Sequence, residues 1–174
     1  MTMTGQLWPY RGIRPILHES VFIAPGTRVI GDVHIAEGSS LWFNCVARGD
    51  VNSIRIGART NIQDGSIVHV SGGRFATSIG NDVLVGHQCI IHGCRLEDES
   101  FIGMGATVMD GCIVESRAML GAGSLLSPAK VVKSGQLWVG RPARYVRDLT
   151  PDEIAANLDA VVHYAKLAQE YRRS

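Results

Sequence analysis

The sequence predicts a mainly β fold, a left-handed parallel β-helix of hexapeptide repeats followed by one C-terminal α-helix. The first observation is that aliphatic or aromatic residues recur at every sixth position without a break over 102–138. An amphipathic α-helix repeats every 3.6 residues and does not place apolar residues at strict intervals of six. A fixed short period of this kind is typical of repeat architectures. The repeated residues are Ile102, Val108, Val114, Leu120, Leu126, Val132 and Trp138.

The second observation is that small residues and turn formers fill much of the rest of each hexad, as in IGNDVL, VGHQCI and IGMGAT. Glycine, asparagine and aspartate suit corners that need unusual backbone angles. Three hexads make one triangular coil, and successive coils stack through main-chain hydrogen bonds about 4.8 Å apart. In each hexad the aliphatic residue points inward and the next residue points outward. We expect this coil to cover about 13–140.

The third observation is a change of pattern after the last repeat. Thr150 is a helix N-cap, Pro151 suits the first helical position, and Glu153 completes a capping box. The predicted helix covers about 150–172, and its apolar stripe must pack either on the coil's own side or on that of a neighbour. The segment GRPARYVRD joins the helix to the coil. We therefore expect one domain, 1–174, with a helical tail.

Composition narrows the functional class. The 174 residues include 45% hydrophobic ones and carry a formal net charge of +1, which suits a globular domain and does not favour nucleic-acid binding. No stretch approaches the roughly 18 apolar residues of a membrane span, and no secretory signal begins the chain, so we expect a cytoplasmic protein without a membrane partner. Four cysteines fit no CxxC pattern, which favours reduced residues of the core.

Two histidines occupy matching outward positions. His69 follows Val68, and His92 follows Ile91. The interval of eleven from Val68 to Ile79 fits one hexad plus a five-residue excursion. With that register, His69 and His92 stack on adjacent coils of one side, close enough to bind one ion. If the excursion is instead two hexads less one residue, this pairing changes.

A third histidine, His87, belongs to the preceding side of the coil and points away from the other two. A metal bound by all three therefore requires a second subunit, and a head-to-tail contact that closes around a triangular prism gives a homotrimer. Three imidazoles with an open fourth position are typical of catalytic Zn²⁺, and Fe²⁺ or Co²⁺ also accept such ligands. The alternative is that these are ordinary surface or interface histidines.

Other polar residues share this geometry. Gln63 points outward on the same side as His87, and Asn61 lies just before it. Arg48 and Asp50 share a strand face and are expected to form a charge pair. From spacing alone the alternatives stay open: Asn61 with Asp64 forms a plain coil corner, and Arg48 with Asp50 forms a plain interface salt bridge.

The chain resembles the γ-class carbonic anhydrases from about Ile13 to the final helix. The resemblance is carried by VARGDVNSIRIGARTNIQDGSIVH, IGNDVLVGHQCIIHGC and FIGMGATVMDG. It implies that His69 and His92 of one subunit and His87 of its neighbour bind the metal, and that no organic cofactor is needed. It further implies roles near the metal for Arg48, Asp50, Asn61, Gln63 and Asp64, the last pairing with the arginine across the interface, and more loosely for Tyr164 of the terminal helix.

The activity implied by the resemblance is the reversible hydration of carbon dioxide to bicarbonate by a metal-bound hydroxide at a trimer interface. Gln63 would orient the hydroxide, and Arg48 would attract the bicarbonate anion. The best-studied form of the family has an acidic residue where this chain has Val51, and its acidic loop is reduced here to VSGGRFATS. We therefore expect slow export of protons.

Three other functions stay open from the sequence. One is a hexapeptide acyltransferase, which shares the coil but uses a histidine base and a coenzyme A groove. Another is a hydrolase that uses the same metal hydroxide on a thioester or other small acyl substrate. The third is a non-catalytic binding protein.

Overall fold

A computed structural model describes residues 5–173 as a parallel β-solenoid of about 7 turns with a single C-terminal helix, which confirms the predicted fold class. The first ten strands are β1 Gln6–Trp8, β2 Ile16–Leu17, β3 Phe22–Ile23, β4 Arg28–Ile35, β5 Ser40–Leu41, β6 Val46–Ile56, β7 Asn61–Ile62, β8 Ile67–His69, β9 Thr77–Ile79 and β10 Leu84–Val85. The next ten are β11 Ile90–His92, β12 Arg95–Leu96, β13 Phe101–Ile102, β14 Thr107–Val108, β15 Ile113–Val114, β16 Met119–Leu120, β17 Leu125–Leu126, β18 Val131–Val132, β19 Gln136–Gly140 and β20 Ala143–Asp148. The helix α1 follows at Pro151–Arg173.

The strands form the three sides of the coil. One side stacks β6, β8, β11, β14 and β17 in parallel, and the next stacks β6, β9, β12, β15 and β18. The third side stacks β3, β5, β7, β10, β13, β16 and β19. Because β4 and β6 are long enough to turn a corner, the first two sides form one continuous sheet.

The corner within β4 and β6 depends on two facing glycines. Gly31 has a φ of 74°, and a Cβ atom there would lie 2.4 Å from the carbonyl oxygen of Gly49. A side chain at Gly31 is therefore excluded both by backbone conformation and by the close approach of the next coil. This bend directs the chain after Gly49 across the corner, so that Asp50 lies next to the following coil.

The alternation of inward and outward residues is as predicted. Val68 and Ile91 are fully buried in the core, whereas their neighbours Ile67 and Ile90 are exposed on the outer surface. The same core contains the repeated aliphatic residues from Ile102 to Val132, all without solvent exposure. Apolar burial along the coil axis thus supplies the main stabilisation of the fold.

The helix begins as the sequence predicts. The Glu153 amide donates to Oγ1 of Thr150 over 3.2 Å, and the Thr150 amide donates to the Glu153 carboxylate over 2.9 Å, which is the capping box. The helix packs on the third side of its own coil, where Tyr164 contacts Trp42 edge to face at 5.4 Å. Of the two partners considered for the apolar stripe, the chain's own coil is the one observed.

The structure differs from the expected boundaries at both ends of the coil. The segment expected to join coil and helix contains β20, which pairs antiparallel with β19. Strand β1 begins at Gln6, before the expected start near 13, and pairs with β4. Hexad counting does not find either strand, because β20 runs antiparallel to the coil and because Leu7 and Trp8 of β1 are exposed.

The four cysteines are buried and unpaired, as expected for reduced core residues. Burial raises the pKa of the Cys45 thiol to about 12 and that of the Cys89 thiol to about 11. Within residues 5–173, no helix combines the length and apolarity needed to cross a membrane.

Candidate metal centre

His69 and His92 lie side by side at the ends of β8 and β11. The two residues are in direct register, and Nδ1 of His69 lies 3.0 Å from Nε2 of His92. The excursion between β8 and β9 does not disturb this register, since β9 returns to pair with β6 and β12. The predicted stacking of the two histidines is therefore confirmed.

The other nitrogen of each ring contacts a carboxylate. Nε2 of His69 lies 3.2 Å from Oδ1 of Asp50, and Nδ1 of His92 lies 2.6 Å from Oδ1 of Asp110. A carboxylate that accepts the N–H of an imidazole leaves the lone pair on the opposite ring nitrogen. The two nitrogens left free in this way are the two that face each other.

This arrangement fits two ligands of one divalent metal ion. Two nitrogens bound to a tetrahedral Zn²⁺ at about 2.0–2.1 Å lie about 3.3 Å apart, close to the 3.0 Å observed. Burial lowers the pKa of His69, which favours the neutral, ligating form of its ring. Within residues 5–173 of a single chain, no three His, Cys, Asp or Glu side chains are grouped to hold a metal ion.

Arg48 and Asp50 form the expected ion pair beside His69. Burial raises the pKa of Asp50, but hydrogen bonds from Arg48 and His69 outweigh burial and leave that pKa below its usual value. The Asp50 carboxylate is therefore ionised at neutral pH and contacts both the arginine and the imidazole. Arg48 itself remains about half exposed, with its guanidinium accessible from solvent.

Asp110 is a residue of this group that the sequence analysis missed. Its Oδ1 contacts His92, and its Oδ2 accepts a hydrogen bond of 2.6 Å from the Ser71 hydroxyl. Asp110 comes 18 residues after His92. The register of β11 with β14 sets Ile91 opposite Val108, an offset of 17 residues, so Asp110 falls one position beyond the one that stacks on His92. Hexad counting therefore does not single out Asp110, and its only signal in the sequence is an acidic residue on the coil after His92.

His87 lies in a second group, at the corner between β10 and β11. Its Nδ1 is 2.8 Å from Oδ2 of Asp64, whose other oxygen accepts the Phe43 amide at 3.2 Å. Asp64 thus also stabilises a coil corner, which is one of the roles that the sequence left open for this residue. His87 lies five positions before His92, and no three potential ligand side chains within residues 5–173 are grouped to hold a metal ion, so the structure does not bring His87 to the other two histidines.

The remaining predicted residues belong to this second group. Asn61 and Gln63 are buried, and Nε2 of Gln63 donates to Oδ1 of Asn61 over 3.3 Å. The Asn61 side-chain nitrogen is buried without a hydrogen-bond partner. Burial raises the pKa of Tyr164, and the nearby charge of Asp64 raises it further. The predicted contact of Asp64 with an arginine across an interface stays a prediction.

An apolar strip runs along the outside of the coil between the two groups. We call it the outer stripe; its members are Val46, Ile67, Ile90, Thr107 and Leu125, which stack in register. Ile67 is 43% exposed and Ile90 is 42% exposed. Aligned aliphatic side chains on an outer sheet surface are typical of a protein contact.

Comparisons with known proteins agree with this architecture. The family described as "Hexapeptide repeat of succinyl-transferase" matches residues 76–110. The chain is 49% identical over 162 residues to "Gamma carbonic anhydrase 1, mitochondrial" of Arabidopsis thaliana, with 90% of this chain and 59% of that protein covered. The chain therefore spans a little under two thirds of the length of that plant relative.

A second relative matches over nearly its whole length. "Probable carbonic anhydrase" of Methanocaldococcus jannaschii is 47% identical over 154 residues, which cover 88% of this chain and 96% of that protein. Among solved structures, a putative acetyltransferase of Bacillus cereus has a TM-score of 0.96 at 37% identity, with 98% of each chain covered.

Proposed function

Because the chain belongs to the γ-carbonic anhydrase family of hexapeptide-repeat proteins, we propose that it catalyses the reversible hydration of carbon dioxide to bicarbonate. The observation that supports this most directly is the His69–His92 pair, whose facing nitrogens are 3.0 Å apart. Each ring is backed by a carboxylate, as in carboxylate–histidine–metal sites. The proposed metal is Zn²⁺, with Fe²⁺ or Co²⁺ as alternatives.

The third ligand is His87 of a neighbouring subunit in a homotrimer. Within one chain, one side of the coil separates His87 from His92, so the two groups can complete one site only between subunits. The outer stripe lies on that side and offers exposed Ile67 and Ile90 for the contact. A heterologous contact of this kind closes into a ring.

The metal would supply one part of the chemistry, because Zn²⁺ held by three imidazoles lowers the pKa of a coordinated water to about 7. The chain supplies orientation and charge. The Asn61 side chain accepts a hydrogen bond from Gln63, which fixes the direction of the Gln63 amide on the side of the coil that leads to His87. Arg48, held by Asp50 and accessible from solvent, offers a guanidinium to the bicarbonate anion. Tyr164 lies near Asp64 at the edge of the same group.

The shared site can be tested by mixing inactive variants. His69→Ala and His87→Ala subunits refolded together should regain zinc binding and carbon dioxide hydration, because some interfaces then combine an intact His69–His92 pair with an intact His87. The matched control is a mixture of His69→Ala and His92→Ala, in which no interface carries a complete set. Equal recovery in both mixtures, or none in a verified mixed trimer, contradicts the shared site.

The reaction itself is tested with the zinc-loaded wild-type protein. We expect exchange between carbon dioxide and bicarbonate that is lost on chelation and restored by metal. A fully loaded protein without any exchange contradicts the proposed activity.

An acyl-transfer or thioester-hydrolysis function is the second candidate. It is supported by the likeness to the B. cereus protein, which is described as a putative acetyltransferase. Acetyl-coenzyme A that raises the melting temperature and is consumed, with or without an acceptor, would favour this candidate. A protein that binds metal but shows neither this activity nor carbon dioxide exchange would favour a non-catalytic binding role.

A further inference from the structure

We infer that Asp110 is a positioning residue of the metal site, which holds the His92 ring so that its Nε2 lone pair faces the metal. This inference rests on the proposed function in one respect only, namely that a metal lies between His69 and His92. Asp110 lies in the turn after β14, one coil beyond His92, and takes no part in the ligand set implied by the family resemblance.

Both oxygens of Asp110 have a defined partner. Oδ1 lies 2.6 Å from Nδ1 of His92, and Oδ2 lies 2.6 Å from the Ser71 hydroxyl. The Ser71 hydroxyl and the His92 ring both lie within hydrogen-bond distance of this carboxylate, and ionised is the ordinary state of an aspartate side chain at neutral pH. An ionised carboxylate only accepts hydrogen bonds, and Nδ1 of His92 must therefore carry the proton.

The tautomer decides whether His92 can bind a metal through Nε2. In a neutral imidazole one nitrogen is a donor and the other carries a lone pair, and the hydrogen bond at one nitrogen sets the state of the other. With Nδ1–H donated to Asp110, Nε2 carries the lone pair and points at the partner ligand His69. Without Asp110, nothing in the described contacts of His92 keeps the proton on Nδ1.

Ser71 links this contact to the excursion that follows His69. The Ser71 amide donates to the Phe75 carbonyl over 2.9 Å, and Nδ2 of Asn52 donates to the Ser71 carbonyl over 3.1 Å. The backbone of Ser71 is therefore fixed by two hydrogen bonds, and this fixes the position from which its hydroxyl donates to Oδ2 of Asp110. Through Asp110, the shortened loop after His69 acts on the orientation of His92.

The first test uses metal-free protein with ¹⁵N-labelled histidine. Long-range ¹H–¹⁵N spectra of wild type should show His92 with its proton on Nδ1, and Asp110→Ala should move that proton wholly or partly to Nε2. Asp110→Asn should keep the wild-type tautomer, since its amide oxygen still accepts from Nδ1. Because no metal is present, this result is independent of whether the proposed activity exists.

The second test measures Zn²⁺ affinity by competition with a chelator. Loss of a residue that orients a ligand typically costs about 10- to 100-fold in metal affinity, and we expect a loss in that range for Asp110→Ala and smaller losses for Asp110→Asn and Ser71→Ala. The matched control is Asp32→Ala, which removes a carboxylate that lies 3.6 Å from His34 elsewhere on the coil. It should leave zinc affinity unchanged.

The inference is overturned if Asp110→Ala leaves the His92 tautomer unchanged or lowers zinc affinity no more than Asp32→Ala. If Asp110→Ala does not fold, Asp110→Ser tests the same contact, because its shorter polar side chain suits a partly buried corner and does not reach Nδ1. Wild-type protein that binds no zinc contradicts the proposed function instead, and the tautomer measurement then still decides whether Asp110 sets the state of His92.

Discussion

At the scale of single residues, the position within the hexad decides the role of a side chain. The inward residue of each hexad packs in the core, and the next residue faces outward, where His69 and His92 meet. Arg48 occupies the same outward position one coil earlier, since Ala47 before it pairs with Val68. The metal-site chemistry is therefore placed on a rigid apolar support.

Truncation of an inward residue should destabilise the coil. Leu120 is fully buried, and Leu120→Ala should lower the free energy of unfolding by about 2–5 kcal/mol through lost burial and the cavity left behind. Met104 is 59% exposed, and Met104→Ala should change the same quantity by less than about 0.5 kcal/mol. Urea unfolding of both variants measures the difference, and similar losses would contradict the assigned packing.

Val51 bears on the rate of the proposed reaction. Its exposed side chain stands where the family resemblance predicts an acid, and it has no proton to transfer. Hydration of carbon dioxide releases a proton, so the steady-state rate should rise with the concentration of imidazole buffer, while exchange at chemical equilibrium should depend on it much less. Val51→Glu should weaken the dependence of the rate on buffer concentration. Fast hydration by wild type at a rate independent of buffer concentration would contradict the predicted slow export of protons.

At the scale of elements, the capping box ties the start of α1 to the end of β20. Arg147 of β20 makes two hydrogen bonds to the Glu153 carboxylate, of 2.7 and 2.8 Å. Glu153 in turn accepts the Thr150 amide. The helix start is thus held both by its own cap and by the antiparallel hairpin before it.

Removal of the cap should loosen the first helical turn. Thr150→Ala removes the hydroxyl that accepts the Glu153 amide and should cost about 1 kcal/mol. Hydrogen exchange at the Glu153 amide should become faster in this variant, while exchange in the coil core should not change. Protection equal to that of wild type would show that the cap contributes nothing.

Acid should weaken the same contact. A hydrogen bond from Arg147 is the largest cause that lowers the pKa of Glu153, to about 2 from a usual value of 4.5. The folded-state pKa is the lower one, so the contribution is complete above about pH 4.5 and is lost as pH falls toward about 2. In metal-free protein, Glu153→Gln should therefore show a shallower loss of stability than wild type between pH 5 and pH 2. Parallel pH profiles from urea unfolding would contradict this.

At the scale of the whole molecule, the proposed site and the proposed assembly depend on each other. The His69–His92 pair and His87 belong to different corners of one coil, and the outer stripe runs between them. A monomer would carry incomplete sites and an exposed apolar strip. We therefore expect a trimer with about one metal per subunit.

A charge in the outer stripe should separate the subunits. Ile67→Glu and Ile90→Glu place a carboxylate where the stripe is exposed, and both should yield folded monomers that bind zinc weakly. The matched control is Ile113→Glu, which changes an outward isoleucine on the neighbouring side of the coil and should remain trimeric. Analytical ultracentrifugation with zinc titration measures both properties. A wild-type monomer that binds zinc tightly would contradict the proposed assembly.

Local sequence patterns determined much of this protein. The interval of six, the capping box at Thr150 and the register of His69 with His92 were all predicted, because each coil repeats the geometry of the last and a helix start depends on four adjacent residues. Because the repeat length is fixed, the number of extra residues in the excursion after Val68 can be counted from the sequence. The sequence predicts nine site residues, and the structure places them in two groups.

Only the tertiary structure decided the contacts that cross between coils or leave the repeat. Asp110 reaches both His92 and Ser71, and these contacts depend on side-chain directions at a corner that counting does not supply. The strand after Gly140 folds back antiparallel, and α1 packs on its own coil through Trp42 and Tyr164, because hairpin pairing and aromatic burial involve residues far apart in the chain. Local periodicity contains no information about such partners, and packing in three dimensions selects them.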